Sequence, residues 1–332
     1  MNVYGTEQIR NVVLLGHGGA GKTTVAEAMA LITGVTKRMG KVADGNTISD
    51  YDKEEIKRQF SISTTLIPLE YQGENGPVKV NLLDTPGFFD FVGEVEEAIS
   101  VADAAIIVVN CKAGIEPGTE RAWEMCEKYN LPRLIFVTNM DDDNASFRQV
   151  VVDLQELYGK KIAPLHLPIR ENGQFVGYVN VIQMKAKRWK EDGTVDKTDV
   201  PDYSFENLEI CREALLESVA ETSEEYMDRY FSGDTFSENE IRQVLHTNVC
   251  DGSMVPISMA SGTMAKGIYT LLDDIVKYLP SPEKKQCKAI NIKTNEVYDA
   301  DFNFAKAKSA YVFKTIVDPF IGKYSLVKVT SG

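Results

Sequence analysis

The run Gly16-His17-Gly18-Gly19-Ala20-Gly21-Lys22-Thr23, followed by Thr24, fits the spacing GxxxxGK[ST]. Glycines let successive backbone N–H groups turn inward on phosphate oxygens. A helix opening at Lys22 adds the positive potential of its N-terminus. In such a loop the Lys22 ammonium bridges the outer phosphates and the Thr23 hydroxyl ligates magnesium. Further along stand Asp84-Thr85-Pro86-Gly87. At the end of a strand, the Asp84 carboxylate can hold a magnesium-bound water and the Gly87 N–H can meet a γ-phosphate. Alone, Asp-Thr-Pro-Gly is also a good turn. Paired with the upstream loop it describes a P-loop hydrolase, and its place at a strand end favours GTP over ATP. Phe88 and Phe89 come next, and a phenylalanine can neither move a proton nor orient a water.

These loops need rigid elements to hold them. Residues 11–15, NVVLL, form a short β-branched apolar run of the kind found in buried parallel strands. A helical pattern through Val25, Met29 and Ile32 follows the glycine-rich loop. Residues 35–60 are polar and weakly patterned, and so are expected to be disordered or a functional loop. Strands are predicted over 61–71 and 78–84, joined as a hairpin through QGENGP. An amphipathic segment, FVGEVEEAISVA, precedes a strand at 104–110, a helix at 117–129 and a strand at 133–139. That alternation implies an α/β fold with a mostly parallel sheet and helices on both faces.

The rhythm breaks after about residue 160, where an ENG turn lies between β-like runs and two helical segments follow. SMVPISMASG and MAKGIYTLLDDIVKYL then resume the earlier style. The expected organisation is an α/β domain over 1–160 and 253–280, an α+β insertion over 161–252, and a linker plus the start of a β-domain over 281–332. The tail reads as a strand, a DPFIGK turn and a second strand. A lone hairpin is marginal by itself, so the chain is expected to be a fragment cut early in that β-domain.

Composition narrows the class. The 332 residues are 43% hydrophobic and 26% charged, as in globular proteins of two or more domains. No stretch approaches the roughly 20 apolar residues of a membrane helix, and the N-terminus lacks the pattern of a signal peptide. Five dispersed cysteines without a CxxC pair argue against a disulfide framework or zinc site and for a reducing cytoplasm. A net charge of −13 disfavours unspecific coating of nucleic acid, so neither a membrane nor free DNA is an expected partner. Of the three histidines, His17, His166 and His246, none lies between residues 84 and 91.

The sequence resembles the N-terminal part of elongation factor G and its paralogues among the translational GTPases, from about residue 8 to 332. The likeness is carried by GHGGAGKTT, DTPGFFDFVGEVEEAI, GIEPGTERAW, LPRLIFVTNMD, FVGYVNVIQMKAKRW and VFKTIVDPFIGKYSLVKVTSG. It implies a P-loop GTPase domain with an inserted subdomain and the first strands of a β-barrel domain. It also implies GTP/GDP and Mg²⁺ as ligands and the ribosome as partner.

The departures from that family sharpen the expectation. Gly19 stands where members typically have Asp, a position tied to monovalent-cation binding. The family's RGITI segment, whose threonine caps magnesium, aligns with Arg58-Gln59-Phe60-Ser61-Ile62, and Ser61 keeps the hydroxyl. The base-reading NKxD motif aligns with Thr138-Asn139-Met140-Asp141. There Asp141 can still accept from guanine, and base clamping is weakened. Ser261-Gly262-Thr263 occupies the third base-contact loop. Phe88 takes the place of the histidine that positions the attacking water. It is expected to act as an apolar plug against the helix that carries Phe91, Val95 and Ile99. His17 belongs to the family's GH pattern and is expected to be structural. The resemblance therefore implies a GTP-binding translation factor with slow or atypical hydrolysis. The competing expectation is a switch that binds GTP without hydrolysing it.

Overall fold

The computed structural model describes residues 2–190, 195–263, 265–285, 287–302, 308–318 and 322–331. Strand β1 (Ile9–Leu15) and helix α1 (Lys22–Ile32) flank the glycine-rich loop, and a short α2 (Lys53–Arg58) follows. Next come β2 (Thr65–Gly73), β3 (Gly76–Asp84), α3 (Val92–Val101), β4 (Ala104–Asn110), α4 (Pro117–Lys128), β5 (Arg133–Thr138) and α5 (Phe147–Tyr158). Strands β6 (Ile162–Pro164), β7 (His166–Glu171), β8 (Gln174–Asn180), β9 (Lys185–Trp189) and β10 (Val195–Thr198) lead to α6 (Phe205–Ala220), α7 (Glu224–Phe231) and α8 (Glu238–Asp251). The chain continues through β11 (Val255–Met259), α9 (Ile268–Tyr278), β12 (Cys287–Ile290), β13 (Val297–Ala300), β14 (Ser309–Asp318) and β15 (Gly322–Ser331).

The main sheet has seven strands in the order β2-β3-β1-β4-β5-β11-β6. Every neighbour is parallel except β2, which runs antiparallel to β3 as the hairpin pattern predicts. Its central strands β4 and β5 are buried almost throughout. That burial is why they read as continuous Ala/Val/Ile/Leu runs instead of alternating ones. All the parallel strands end on one side, so the loops after β1, β3, β5 and β11 open along a common edge. In open α/β sheets that edge is where ligands bind.

Residues 35–60 are ordered, in one 3₁₀ turn and the short α2, without any regular apolar face. The strand expected over 61–71 starts only at Thr65. The N–H groups of Ile62 and Ser63 donate to Glu55 Oε1 and that of Thr64 to Glu94 Oε2, which removes them from the ladder.

A separate four-stranded antiparallel sheet, β10-β9-β8-β7, accompanies α6, α7 and α8. Its β7–β8 turn is Asn172-Gly173, with φ of 50° and 80°, the left-handed pair a two-residue hairpin turn requires. β6 pairs in parallel with β11 at the margin of the main sheet. At the C-terminal end, β12–β13 and β14–β15 are two antiparallel pairs, the first of which the patterning did not predict. The centre of the DPFIGK turn, 319–321, lies outside the described residues.

Candidate nucleotide-binding site

The glycine-rich loop follows β1 and closes on itself around Lys22. The buried ammonium donates to the carbonyls of Gly16 at 3.0 Å and His17 at 2.9 Å. Burial pushes Lys22 down to about 8, against the pull of Asp84, Asp50 and Glu116. Those intraloop bonds are the ones a phosphate would replace. Gly21 takes φ +97° and caps α1, while Gly19 takes φ +85° with nothing within 4 Å of where a Cβ would stand. Gly87 touches the same loop. A Cβ there would lie 2.5 Å from Lys22 Nζ and 2.7 Å from Gly18 Cα, so only glycine fits. The loop after β3 and the loop after β1 are thus in van der Waals contact.

The expected magnesium ligands come together. Thr23 Oγ1 and Ser61 Oγ are 3.2 Å apart, which brings Ser61 from its segment before β2 to the start of α1. Asp84 is fully buried, and its Oδ2 accepts from Ser49 Oγ at 2.5 Å. Asp84 Oδ1 accepts no hydrogen bond of full geometry among the described residues, with the Thr23 hydroxyl close to the carboxylate. Burial pushes Asp84 up to about 6, opposed by the Ser49 hydrogen bond and by Lys22. Asp50, a residue that spacing did not single out, lines the same cavity of about 200 Å³ beside Lys22, Thr23 and Ser61. Neither of its buried carboxylate oxygens accepts a hydrogen bond of full geometry among the described residues, and burial raises its pKa against the pull of the neighbouring Ser61 hydroxyl. Two hydroxyls and two carboxylates form a hard, all-oxygen donor set, which suits Mg²⁺. Among the described residues no three His, Cys, Asp or Glu side chains form a dedicated metal cage.

Phe88 departs from expectation. The residue is 46% exposed, and its ring packs on Phe60, centroids 4.7 Å apart, with Phe60 in turn 6.3 Å from Phe91. On its other side it covers the glycine-rich loop, 3.2 Å from where a Gly18 Cβ would stand. The predicted plug against α3 is therefore a cover over the phosphate loop, shared with Phe60. A ring can lie there because position 18 has no side chain. His17 has its side-chain contacts outside the loop. Its Nδ1 accepts from Gly118 N at 3.2 Å, and its Nε2 lies 3.5 Å from Glu116, which ties the loop to the start of α4.

The loops after β5 and β11 meet beyond α1. Thr263 Oγ1 donates to Asp141 Oδ2 at 2.9 Å and lies 3.1 Å from Ser261 Oγ. A Gly262 Cβ would stand 3.2 Å from Thr24 Cγ2, which brings this loop to α1. Asn139 sits at φ 57° between the two strand ends. Thr138 needs correcting as a base contact. Its buried hydroxyl donates to Ala20 O at 2.7 Å and Val109 O at 3.2 Å, so it braces the phosphate loop from behind. Ala20 itself is buried under that brace.

A phosphate loop between β1 and α1, a Gly87 loop after β3, and a mostly parallel sheet behind them define a P-loop GTPase domain. Comparison with known proteins narrows the class. The Elongation factor Tu GTP binding domain family matches residues 7–281. Elongation factor G of Thermotoga maritima is 36% identical over 329 residues, which is 98% of this chain and 47% of that protein. Elongation factor G of Neorickettsia sennetsu is 34% identical over 340 residues, with the same coverage. A crystal structure of a Thermus thermophilus protein superposes with a TM-score of 0.85 at 34% identity, over 98% of this chain and 46% of that one. The chain belongs to the translational GTPases, as a member of the elongation factor G type. It spans about half the length of the relatives it matches. No helix among the described residues is long and apolar enough to cross a membrane.

Proposed function

We propose that this chain binds GTP and GDP with Mg²⁺ as the nucleotide-responsive part of a cytoplasmic translation factor that works on the ribosome. In this reading residues 1–160 and 253–280 form the nucleotide domain, 161–252 its inserted subdomain, and 281–332 a linker and the beginning of a β-barrel domain. The amides of Gly18 to Thr24 and the Lys22 ammonium hold the β- and γ-phosphates. Thr23, Ser61, Asp84 and Asp50 are the residues that would hold the ion, which would offset phosphate charge when bound. Asp141 selects guanine, while Ser261, Gly262 and Thr263 close over the base.

Any hydrolysis is in-line attack of water on the γ-phosphorus, with Lys22 and the Gly87 N–H stabilising developing charge. Its rate is low in this reading. The observation that carries it is the Phe88 ring lying between Phe60 and Gly18, where a water-orienting donor would be needed. Loss of such a group typically costs about 10²–10⁴ in rate. A second reading, a GTP-dependent binding switch without useful hydrolysis, draws on the same contact.

The test is GTP turnover by the full-length protein and its Phe88→His variant, each with and without ribosomes. Slow turnover that histidine raises by at least tenfold supports the proposal. Strong ribosome stimulation of the unmodified protein excludes the non-hydrolysing switch, and an inert histidine variant overturns the role given to Phe88.

A further inference from the structure

Arg170 is the penultimate residue of β7, in the antiparallel sheet next to the main domain, yet its side chain serves a loop of the main sheet. Nη1 donates to Met140 O at 3.1 Å and to Ala145 O at 3.5 Å. Nη2 donates to Asp142 O at 2.9 Å and, within its own hairpin, to Gly173 O at 2.8 Å. One planar cation thus gathers three carbonyls from the six residues that carry Asp141. The aim of the side chain is set by a register shift between Ile169 and Arg170, where Gly177 and Phe175 are the successive partners and Val176 is skipped. Such bulges re-aim side chains at the margins of sheets. From the far side Lys112 Nζ donates to Asp142 Oδ2 at 3.1 Å, so the loop is held at both flanks.

The base loop has reason to need outside support. Thr138 spends its hydroxyl on the carbonyls of Ala20 and Val109, and Met140 has no polar group with which to pin a base or a backbone. Asp141 is left with Thr263 as its side-chain donor on the opposite loop. A carboxylate that must accept two ring donors at once is useful only if its backbone is fixed.

We propose that Arg170 is a positioning residue for guanine selection: by gathering the carbonyls of Met140, Asp142 and Ala145 it fixes the loop that presents Asp141 to the base. Arginine suits the task because its rigid fork donates to several carbonyls at once, which a lysine ammonium cannot do in the same plane. The contact also makes the β7–β8 hairpin part of the nucleotide site. A ligand or partner that shifts this hairpin would change nucleotide affinity, and by linkage nucleotide would change its binding in turn.

This inference rests on the reading of Asp141 as the base-selecting carboxylate, and the experiment separates the two. Affinities for GDP and ADP are measured for the unmodified chain, Asp141→Asn, Arg170→Gln and Arg170→Lys, with the thermal midpoint of each nucleotide-free protein. The expected result is a GDP affinity about tenfold weaker in Arg170→Gln, an ordinary size for coupled sites, with ADP affinity unchanged. Arg170→Lys should fall between, and hydrogen exchange at 140–145 in the nucleotide-free protein should quicken in both. If the unmodified chain binds ADP as tightly as GDP, the base-site reading fails and this inference with it. If Asp141→Asn abolishes selection while Arg170→Gln keeps it, this inference alone is overturned. Equal weakening of GDP and ADP alongside a lowered midpoint would show a merely structural strut, and would also overturn it.

Discussion

Glu27 lies on α1 with 1% of its surface exposed, and both its oxygens face backbone N–H groups. Oε2 accepts from Gly40 at 2.8 Å and Oε1 from Ile48 at 2.5 Å, so one carboxylate pins both sides of the polar loop that delivers Asp50. Glu55 on α2 repeats the device for the stretch that delivers Ser61, accepting from Ile62 and Ser63. An amide has one acceptor oxygen, so Glu27→Gln turns its NH₂ toward one of two backbone donors. Hydrogen bonds to charged groups contribute about 1.5–3 kcal/mol, and a loss of about 2 kcal/mol is expected. Denaturant unfolding should show that loss, and limited proteolysis should cut faster within 40–60. A variant with unaltered stability and cleavage would assign the order of this segment to other contacts. The sequence marked 35–60 as unpatterned and could go no further. The bonds that order the segment run to main-chain N–H groups, which every residue but proline has, so they leave no trace in residue type. Gly18 and Phe88 were legible as types. That one makes room for the other appears only when the loops after β1 and β3 are brought together.

At the scale of elements, β7, β11 and α9 cross at a buried polar pair. His166 Nδ1 lies 3.6 Å from Asp274 Oδ2 and 3.5 Å from Ser258 Oγ, while its Nε2 is 3.2 Å from Asn180 Nδ2. Tyr178 packs its ring edge-on at 5.1 Å, and Lys187, Lys277 and Asp273 supply the surrounding charge. Burial pushes His166 down to about 3 and Asp274 up to about 7, so both are neutral in the folded chain across the acid range. For Asp274 the folded state keeps a proton that the unfolded state releases above about 4, so its contribution falls as pH rises toward 7. For His166 the unfolded state takes a proton below about 6.5, so its contribution falls as pH drops. Between about pH 4 and 6.5 the two slopes oppose and nearly cancel. Asp274→Asn removes one of them. Its stability relative to the parent should therefore grow by on the order of 2 kcal/mol from pH 5 to pH 8, since each tenfold difference in proton affinity is worth about 1.36 kcal/mol. Unfolding midpoints at the two pH values measure this, and a constant difference would show that Asp274 does not titrate in the window. The strands and helix were readable from apolar runs and periodicity. Their polar crossing was not, since His166, Ser258 and Asp274 are far apart in sequence and occupy positions where an apolar residue would serve the pattern equally well.

At the scale of the whole molecule, two lysines of the β14–β15 hairpin tie it to both ends of α3. Lys314 Nζ donates to Glu94 Oε2 at 2.5 Å and to Thr64 O at 2.9 Å, joining the first turn of α3 to the segment that follows Ser61. Lys328 Nζ donates to Asp103 Oδ1 at 2.5 Å and to Val101 O at 2.9 Å, at the other end of α3. Asp103 Oδ2 accepts from Asn11 Nδ2 at 2.7 Å, and Asn11 Oδ1 from Asn81 Nδ2 at 2.8 Å, which carries the network across β1 and β3. The hairpin therefore brackets the helix that begins behind Phe88. Any change at Ser61 or Gly87 that displaces α3 must strain or break a lysine contact. Lys328 and Asp103 are nearly enclosed, with 12% and 1% of their side chains exposed. Removing one partner of a buried pair costs roughly 3–5 kcal/mol, because the other charge stays behind. Lys328→Met should accordingly lose about 3 kcal/mol in denaturant unfolding, whereas Lys328→Met with Asp103→Asn should recover most of it. A double variant as unstable as the sum of the two singles would mean the residues act independently. In that case the hairpin would be held by its apolar contacts, and its lysines would not report the position of α3.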